Sequence, residues 1–131
     1  MIEYLNYRSV IERANEIGSG IIEEKLFNVP QGEKLKMFGI FSKNRAEWVL
    51  ADIAASLFGF TVIPIYDTLG DENITYVFNH AQLTSCFVDD AAVKSLLKCK
   101  DMAKVTRLIC FDPFSNEDAV TFKQRGKNGT I

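Results

Sequence analysis

Among its 131 residues the chain has a single histidine, a single tryptophan, three prolines and three cysteines. With only His80 there is no histidine-based metal constellation. Cys86, Cys99 and Cys110 lie far apart without Cys-x-x-Cys spacing, and an odd count with no pairing pattern fits a reducing compartment rather than a disulfide framework. Cys86 and Cys110 sit inside apolar runs and read as small buried hydrophobes. A surplus of one charge is also missing. Fifteen Lys and Arg against 17 Asp and Glu leave −2, with a pI near 5.4, which argues against a broad electrostatic hold on nucleic acid. The densest basic grouping, Lys94, Lys98, Lys100 and Lys104, is interrupted by Asp101 and reads as a solvated helix face. No apolar run approaches a membrane span, and Met1-Ile2-Glu3-Tyr4 lacks the basic start of a signal peptide. The sequons Asn73-Ile74-Thr75 and Asn128-Gly129-Thr130 are therefore expected to be chance.

Nucleotide and hydrolase signatures are missing too. Gly126-Lys127-Asn128 has no glycine five positions before the lysine and no Ser or Thr after it, so Walker spacing is absent. No Gly-x-Ser-x-Gly elbow occurs. Gly18-Ser19-Gly20 falls mid-helix, not between a strand and a helix start, and is no phosphate loop.

What is present is an ordinary globular composition, 47% hydrophobic and 24% charged, in a length that holds one core. Met37 to Phe41 is a compact apolar run bounded by lysines, the pattern of a buried strand. From Ala46 to Phe58 only Glu47, Asp52 and Ser56 are polar, which predicts a helix buried on most of its circumference and stopped by Gly59. A second strand, Thr61 to Ile65, follows at once, completing a βαβ unit. Before it, Val10, Ala14, Ile17 and Ile21 recur at helical spacing and predict a helix from about Arg8 to Lys25, with Asn6 as N-cap. Gly18 and Gly20 each cost about 1 kcal/mol there against alanine, so both are expected at a close helix contact. Asn28 to Glu33 reads as a loop.

Thr68 and Asp71 stand three apart before Ile74, Val77 and Phe78, the spacing of a capping box, and that helix should end near Asn79 or His80. Ser85 to Val88 is a third strand. Asp89-Asp90 opens a helix carrying Ala91, Val93, Leu96 and Leu97, and Arg107 to Phe111 is a fourth strand stopped by Asp112-Pro113. Beyond Phe114 the signal decays. Strands and helices alternate throughout, which predicts an α/β fold with a layered, mainly parallel sheet and flanking helices.

Candidate chemistry is sparse. Asp89-Asp90 resembles the adjacent acids that help hold magnesium in phosphoacceptor receiver domains. Here, however, the pair follows the third strand, and no lysine ends a fifth. Helix capping is the better account of Asp90, with Asp112 a further strand-end acid. Arg45 and Trp48 could form a recognition pair, or serve as a clamp on a neighbouring carboxylate and as core. His80 follows a helix C-terminus as a surface cap would. Read alone, the residues lead to an α/β domain with no visible active site.

Several stretches carry a resemblance. Ile17-Gly18-Ser19-Gly20, Phe38-Gly39-Ile40-Phe41-Ser42-Lys43-Asn44-Arg45-Ala46-Glu47-Trp48, Val62-Ile63-Pro64-Ile65-Tyr66-Asp67-Thr68-Leu69-Gly70 and Ile74 to Ala81, then Phe87-Val88-Asp89, resemble the N-terminal region of long-chain acyl-CoA synthetases of the adenylate-forming superfamily. The match runs from about residue 4 to 112. Where the family has proline after the arginine, this chain has Ala46, which also suits a helix start.

The resemblance implies a long-chain fatty acid–CoA ligase that uses ATP, magnesium and CoA through an acyl-adenylate. It further implies a large N-terminal domain of two stacked α/β subdomains with a mobile C-terminal lid. The Pro-Lys-Gly phosphate loop, the adenine, ribose and hinge motifs and the lid lysine do not occur in the chain. Residues 1–131 are accordingly expected to be a partial N-terminal AMP-binding domain, truncated at both ends. No catalytic, cofactor-binding or metal residue is assigned, and the fragment is expected to be inactive and to bind no cofactor by itself. Nucleic acid is not an expected partner; fatty acid, ATP and CoA are partners of the parent. Membrane association, and a place on the cytoplasmic side of the endoplasmic reticulum or another organelle, would come through regions outside the chain. A sheet cut from a larger domain exposes an edge, so self-association is expected. The other reading is a stand-alone, receiver-like binding or regulatory module.

Overall fold

A strand that is apolar along both faces must be covered on both sides, and two segments meet that description. In β1 (Lys36–Phe41) the last four residues are buried, and in β3 (Ser85–Val88) all four are. The computed structural model, which describes residues 4–99, 101 and 104–113, places these two strands side by side in the middle of the sheet. Around them run α1 (Tyr7–Glu23), α2 (Ala46–Phe58), β2 (Phe60–Ile65), a 3-10 turn (Asp67–Leu69), α3 (Asp71–His80), α4 (Asp90–Lys98) and β4 (Arg107–Cys110). The strand order is β2-β1-β3-β4, with every pairing parallel. Pro64, which cannot donate to a ladder, lies in edge strand β2, where it is tolerated.

The direction of each crossover decides which face its helix covers. β1 to β2 runs one way along the sheet, and β2 to β3 and β3 to β4 run the other. Right-handed connections therefore put α2 on one face and α3 and α4 on the opposite face. Two separate cores result. One gathers Ile21, Phe38, Ile40, Ala51, Ala55, Phe60 and Phe87 beneath α1 and α2. The other holds Phe41, Ile65, Ile74, Phe78, Cys86, Val88, Val93 and Leu96 beneath α3 and α4. Gly39 is what lets the second core close: a Cβ there would lie 2.8 Å from Cys86 Sγ and 3.1 Å from Leu83.

The elements follow the local signals closely. Asn6 caps α1 by accepting the Ser9 N–H at 2.8 Å. Gly59 ends α2 in the left-handed region at φ 70°, its N–H on the Ala55 carbonyl. Three expectations need correction. First, α2 is not buried on most of its circumference. Its inner face is Leu50, Ala51, Ala54 and Ala55, while Val49 and Leu57 are 54% and 50% exposed. The helix touches the sheet and α1 on one side only.

Second, the Thr68–Asp71 capping box does not form. Thr68 is taken up in the 3-10 turn, and the N-cap of α3 is Gly70 at φ 75°, a conformation that L side chains resist. Asp71 and Glu72 serve the helix dipole from its first turn instead. Third, Asn28 is not simply loop, since it exchanges backbone hydrogen bonds with Met37 at 2.9 and 2.7 Å as an antiparallel bridge. Smaller differences fall at ends: β4 stops at Cys110, although the Phe111 N–H still reaches the Val88 carbonyl at 2.9 Å. Lys100 and the segment from Phe114 onward lie outside the described residues.

Gly18 and Gly20 separate as well. A Cβ at Gly18 would sit 2.2 Å from the Phe58 ring, where α1 crosses α2, whereas nothing lies within 4 Å of one at Gly20. Alanine should therefore gain helix propensity at both sites, about 1 kcal/mol, but lose about 1–3 kcal/mol to overpacking at Gly18 alone. Urea unfolding should rank Gly20→Ala above wild type and Gly18→Ala well below Gly20→Ala. Equal midpoints for the two variants would refute the close contact.

A cleft at the carboxyl ends of the strands

In a doubly wound sheet the strand order reverses at one place, and loops leaving the strands there diverge to opposite faces. That leaves a crevice beyond the carboxyl ends. Here the reversal falls between β1 and β3. The turn after β1 contributes Ser42, Lys43 and Asn44, the end of β2 contributes Tyr66 and Asp67, and the end of β3 contributes Asp89. Together with Trp48 from α2 and Ala91, Ala92 and Ser95 from α4 they line a cleft of about 610 Å³.

Asp89 holds this cleft in shape. It is 8% exposed. Oδ1 accepts the Ala92 N–H at 2.8 Å, capping α4, and Oδ2 accepts the Lys43 N–H at 2.9 Å, fixing the turn after β1. The residue that caps the helix is thus Asp89, not Asp90 as the sequence favoured; Asp90 is one position inside, where it pairs with Lys94 at 2.7 Å on the surface. The swap has a steric reason: only the residue ahead of the first helical turn keeps the extended backbone that returns its side chain to the N2 and N3 amides.

A second knot lies beside the first. Arg45 Nε donates to Glu47 Oε2 and its Nη1 donates to Asp112 Oδ2, each at 2.7 Å, while the guanidinium lies 5.3 Å from the Phe111 ring centroid. The clamp reading of Arg45 is therefore the one realised. Its hydrogen bonds hold the carboxyls of Asp112 and Glu47 below their usual range and raise its own pKa. Trp48, one turn into α2, is half-buried; it faces the cleft and packs against the core under α1 and α2.

The remaining candidates do not converge on the cleft. His80 stacks on Tyr76 at 5.3 Å on the surface of α3. Cys86 is buried beside Gly39, and burial pushes its thiol pKa far up, which removes its nucleophilicity. Lys104 donates to Gln82. Both Asp89 oxygens accept backbone N–H groups, Arg45 occupies Asp112, and among the described residues no three His, Cys, Asp or Glu side chains are grouped for a metal. Tyr66 and Asp67 were visible in sequence only as parts of a motif. Their place in the cleft follows from strand order, which no local signal encodes.

A parallel sheet wrapped on both faces, with an aromatic-edged cleft at its reversal point, is a doubly wound α/β architecture. The family follows: the profile of the AMP-binding enzymes matches residues 2–130, and the chain belongs to that family. It is 33% identical over 129 residues to mouse long-chain-fatty-acid–CoA ligase 6, covering 95% of this chain and 17% of that protein. Human long-chain-fatty-acid–CoA ligase 1 is 38% identical over 95 residues, 72% of this chain and 13% of its own length. Fatty acyl-CoA synthetase B of Dictyostelium discoideum is 32% identical, covering 95% of this chain and 18% of that protein. The chain thus spans less than a fifth of the curated relatives it matches. The fold itself is shared with a luciferase-like enzyme of the mealworm Zophobas morio, at TM-score 0.71 and 20% identity over 91% of this chain and 28% of that one. It is shared also with the A domain of carboxylic acid reductase from Segniliparus rugosus, solved with AMP and a carboxylic acid. There the TM-score is 0.67 at 18% identity, over 95% of this chain and 20% of that one.

Two outcomes test the knots. Asp89→Ala removes a helix cap, about 1 kcal/mol, and a charge-assisted bond to Lys43, so the loss should be about 2–3 kcal/mol in denaturant unfolding. Asp89→Asn should recover only part of it, because one amide face donates where Lys43 also donates. A loss under about 0.5 kcal/mol for Asp89→Ala would place the residue on the ordinary surface scale. The acid pairs predict a pH effect of definite sign. Asp112 and Glu47 are held low in the fold and return to about 4 on unfolding, so the unfolded chain binds more protons in that range. Their stabilisation is present above it and lost as pH falls through the depressed values. The unfolding midpoint should drop between about pH 5 and pH 2, and less steeply in Arg45→Met; identical slopes would exclude the pairing.

Proposed function

We propose that this chain is a scaffold portion of the N-terminal AMP-binding domain of a long-chain fatty acid–CoA ligase. In that reaction a fatty acid carboxylate attacks the α-phosphorus of ATP, pyrophosphate leaves, and the CoA thiol then displaces AMP to give the acyl thioester. The observation that carries the reading is the similarity, across nearly the whole chain, to fatty acid–CoA ligases of mammals and of Dictyostelium. The geometry agrees with a scaffold role. The buried acid in the cleft, Asp89, is committed to backbone amides on both oxygens. The one guanidinium beside it is committed to two carboxylates. Phosphoacceptor chemistry draws no support from this arrangement, because both Asp89 oxygens already serve backbone N–H groups.

Self-association of the polypeptide on its own belongs to the same proposal. β2 and β4 are edges of the described sheet, and Ile11, Ile22, Val49 and Leu57 stand exposed on α1 and α2; open edges and apolar faces both favour pairing.

One pair of preparations tests these statements. A full-length ligase containing this stretch should catalyse ATP–pyrophosphate exchange that depends on hexadecanoic acid. The 131-residue polypeptide should release no pyrophosphate and should sediment as oligomers. Pyrophosphate release by the short polypeptide, or a sharp monomer in sedimentation, would overturn the respective statement.

A further inference from the structure

Arg45 reaches across a strand that is not its neighbour's. It follows β1, and Asp112 follows β4, with β3 between the two. The pair therefore spans about two inter-strand spacings, roughly 10 Å, along the carboxyl edge of the sheet. A lone surface ion pair on flexible side chains is worth little. This guanidinium is more tightly placed: its fork serves two carboxylates, and its plane lies over Phe111, which is itself stacked on Phe87 at 5.8 Å. Such a fork on a ring has one orientation, which an ammonium would not share. The Asp90 N–H, in the first turn of α4, also helps to hold the Asp112 carboxyl low. One side chain thus ties the β1–α2 turn to the chain leaving β4. The residues flanking it in sequence, Lys43 and Asn44 before and Trp48 after, are walls of the cleft.

We infer that Arg45 is a positioning residue for the cleft, coupling the path of the chain beyond β4, through Asp112, to the placement of Lys43, Asn44 and Trp48. This goes beyond the ligase reading and does not depend on it, since its test reads no activity. Glu47 lies two residues from Arg45 and holds the guanidinium locally; Asp112 and Phe111 come from the far side of β3.

Trp48 is the sole tryptophan in the sequence, so its fluorescence reports on the cleft wall of the whole chain. Asp112→Asn and Arg45→Met should each raise acrylamide quenching of Trp48 roughly twofold, the span from a half-buried to a free ring. The double variant should do no more than either single one, because both remove the same tie. Glu47→Gln should leave quenching unchanged, and Arg45→Lys should fall between. Circular dichroism confirms that each variant is folded. If Arg45→Met does not fold, the milder Asp112→Asn decides, and the exchange of Arg45→Asp with Asp112→Arg should restore low quenching. A folded Asp112→Asn chain with wild-type quenching would overturn the inference, as would an equal effect from Glu47→Gln.

Discussion

One carboxylate, that of Asp89, fastens three parts of the chain at the carboxyl edge of the sheet. It follows β3, caps α4 and holds the Lys43 amide in the turn that follows β1. Because a parallel ladder ties strands only along their lengths, their carboxyl ends would otherwise diverge as each chain turns to its own face. A buried acid without partners would be expensive to keep; two backbone donors, one on each oxygen, make it stable. The same geometry explains why the cleft has shape and why its central acid is structural.

Packing sets the second constraint. Two cores share one sheet only four strands wide, so each residue of β1 must serve the face it points to. Phe38 and Ile40 fill one side, Phe41 fills the other, and Gly39 is empty on its side so that Cys86 and Leu83 can approach. Gly18 plays the corresponding part between α1 and α2, where the Phe58 ring occupies the space of a side chain. Interiors packed at crystal density transmit such requirements. The glycines that matter are the ones with neighbours, and Gly20 has none.

Membership in the AMP-binding family gives these devices their context. The chain spans a small part of its relatives' length, and its own groups are spent on holding strands, turns and helix starts together. Ion pairs and caps that look like candidate chemistry in sequence prove to be internal fastenings. The carboxyl edge of the sheet is a fixed surface with an aromatic residue, a lysine and an asparagine on display.

Alternation of apolar runs and amphipathic stretches was enough to determine the four helices and four strands of the described residues, the parallel sheet and the stop at Gly59, because these depend on periodicity and on residues adjacent in the chain. The family was legible for a similar reason, since Asn44-Arg45 and Tyr66-Asp67-Thr68-Leu69-Gly70 are local strings. The strand order β2-β1-β3-β4 was not legible, and with it went the cleft, because the reversal point is set by which strands neighbour one another. Capping by Asp89 instead of Asp90, the bare flank of α2 and the failed capping box at Thr68 all turned on a backbone angle or a missing neighbour that residue type does not carry. The stretch around Arg45 shows both sides. Its strand, turn and helix could be read from residues 37 to 58 alone, but that Arg45 would meet Asp112, 67 positions away, was decided by β3 lying between their strands.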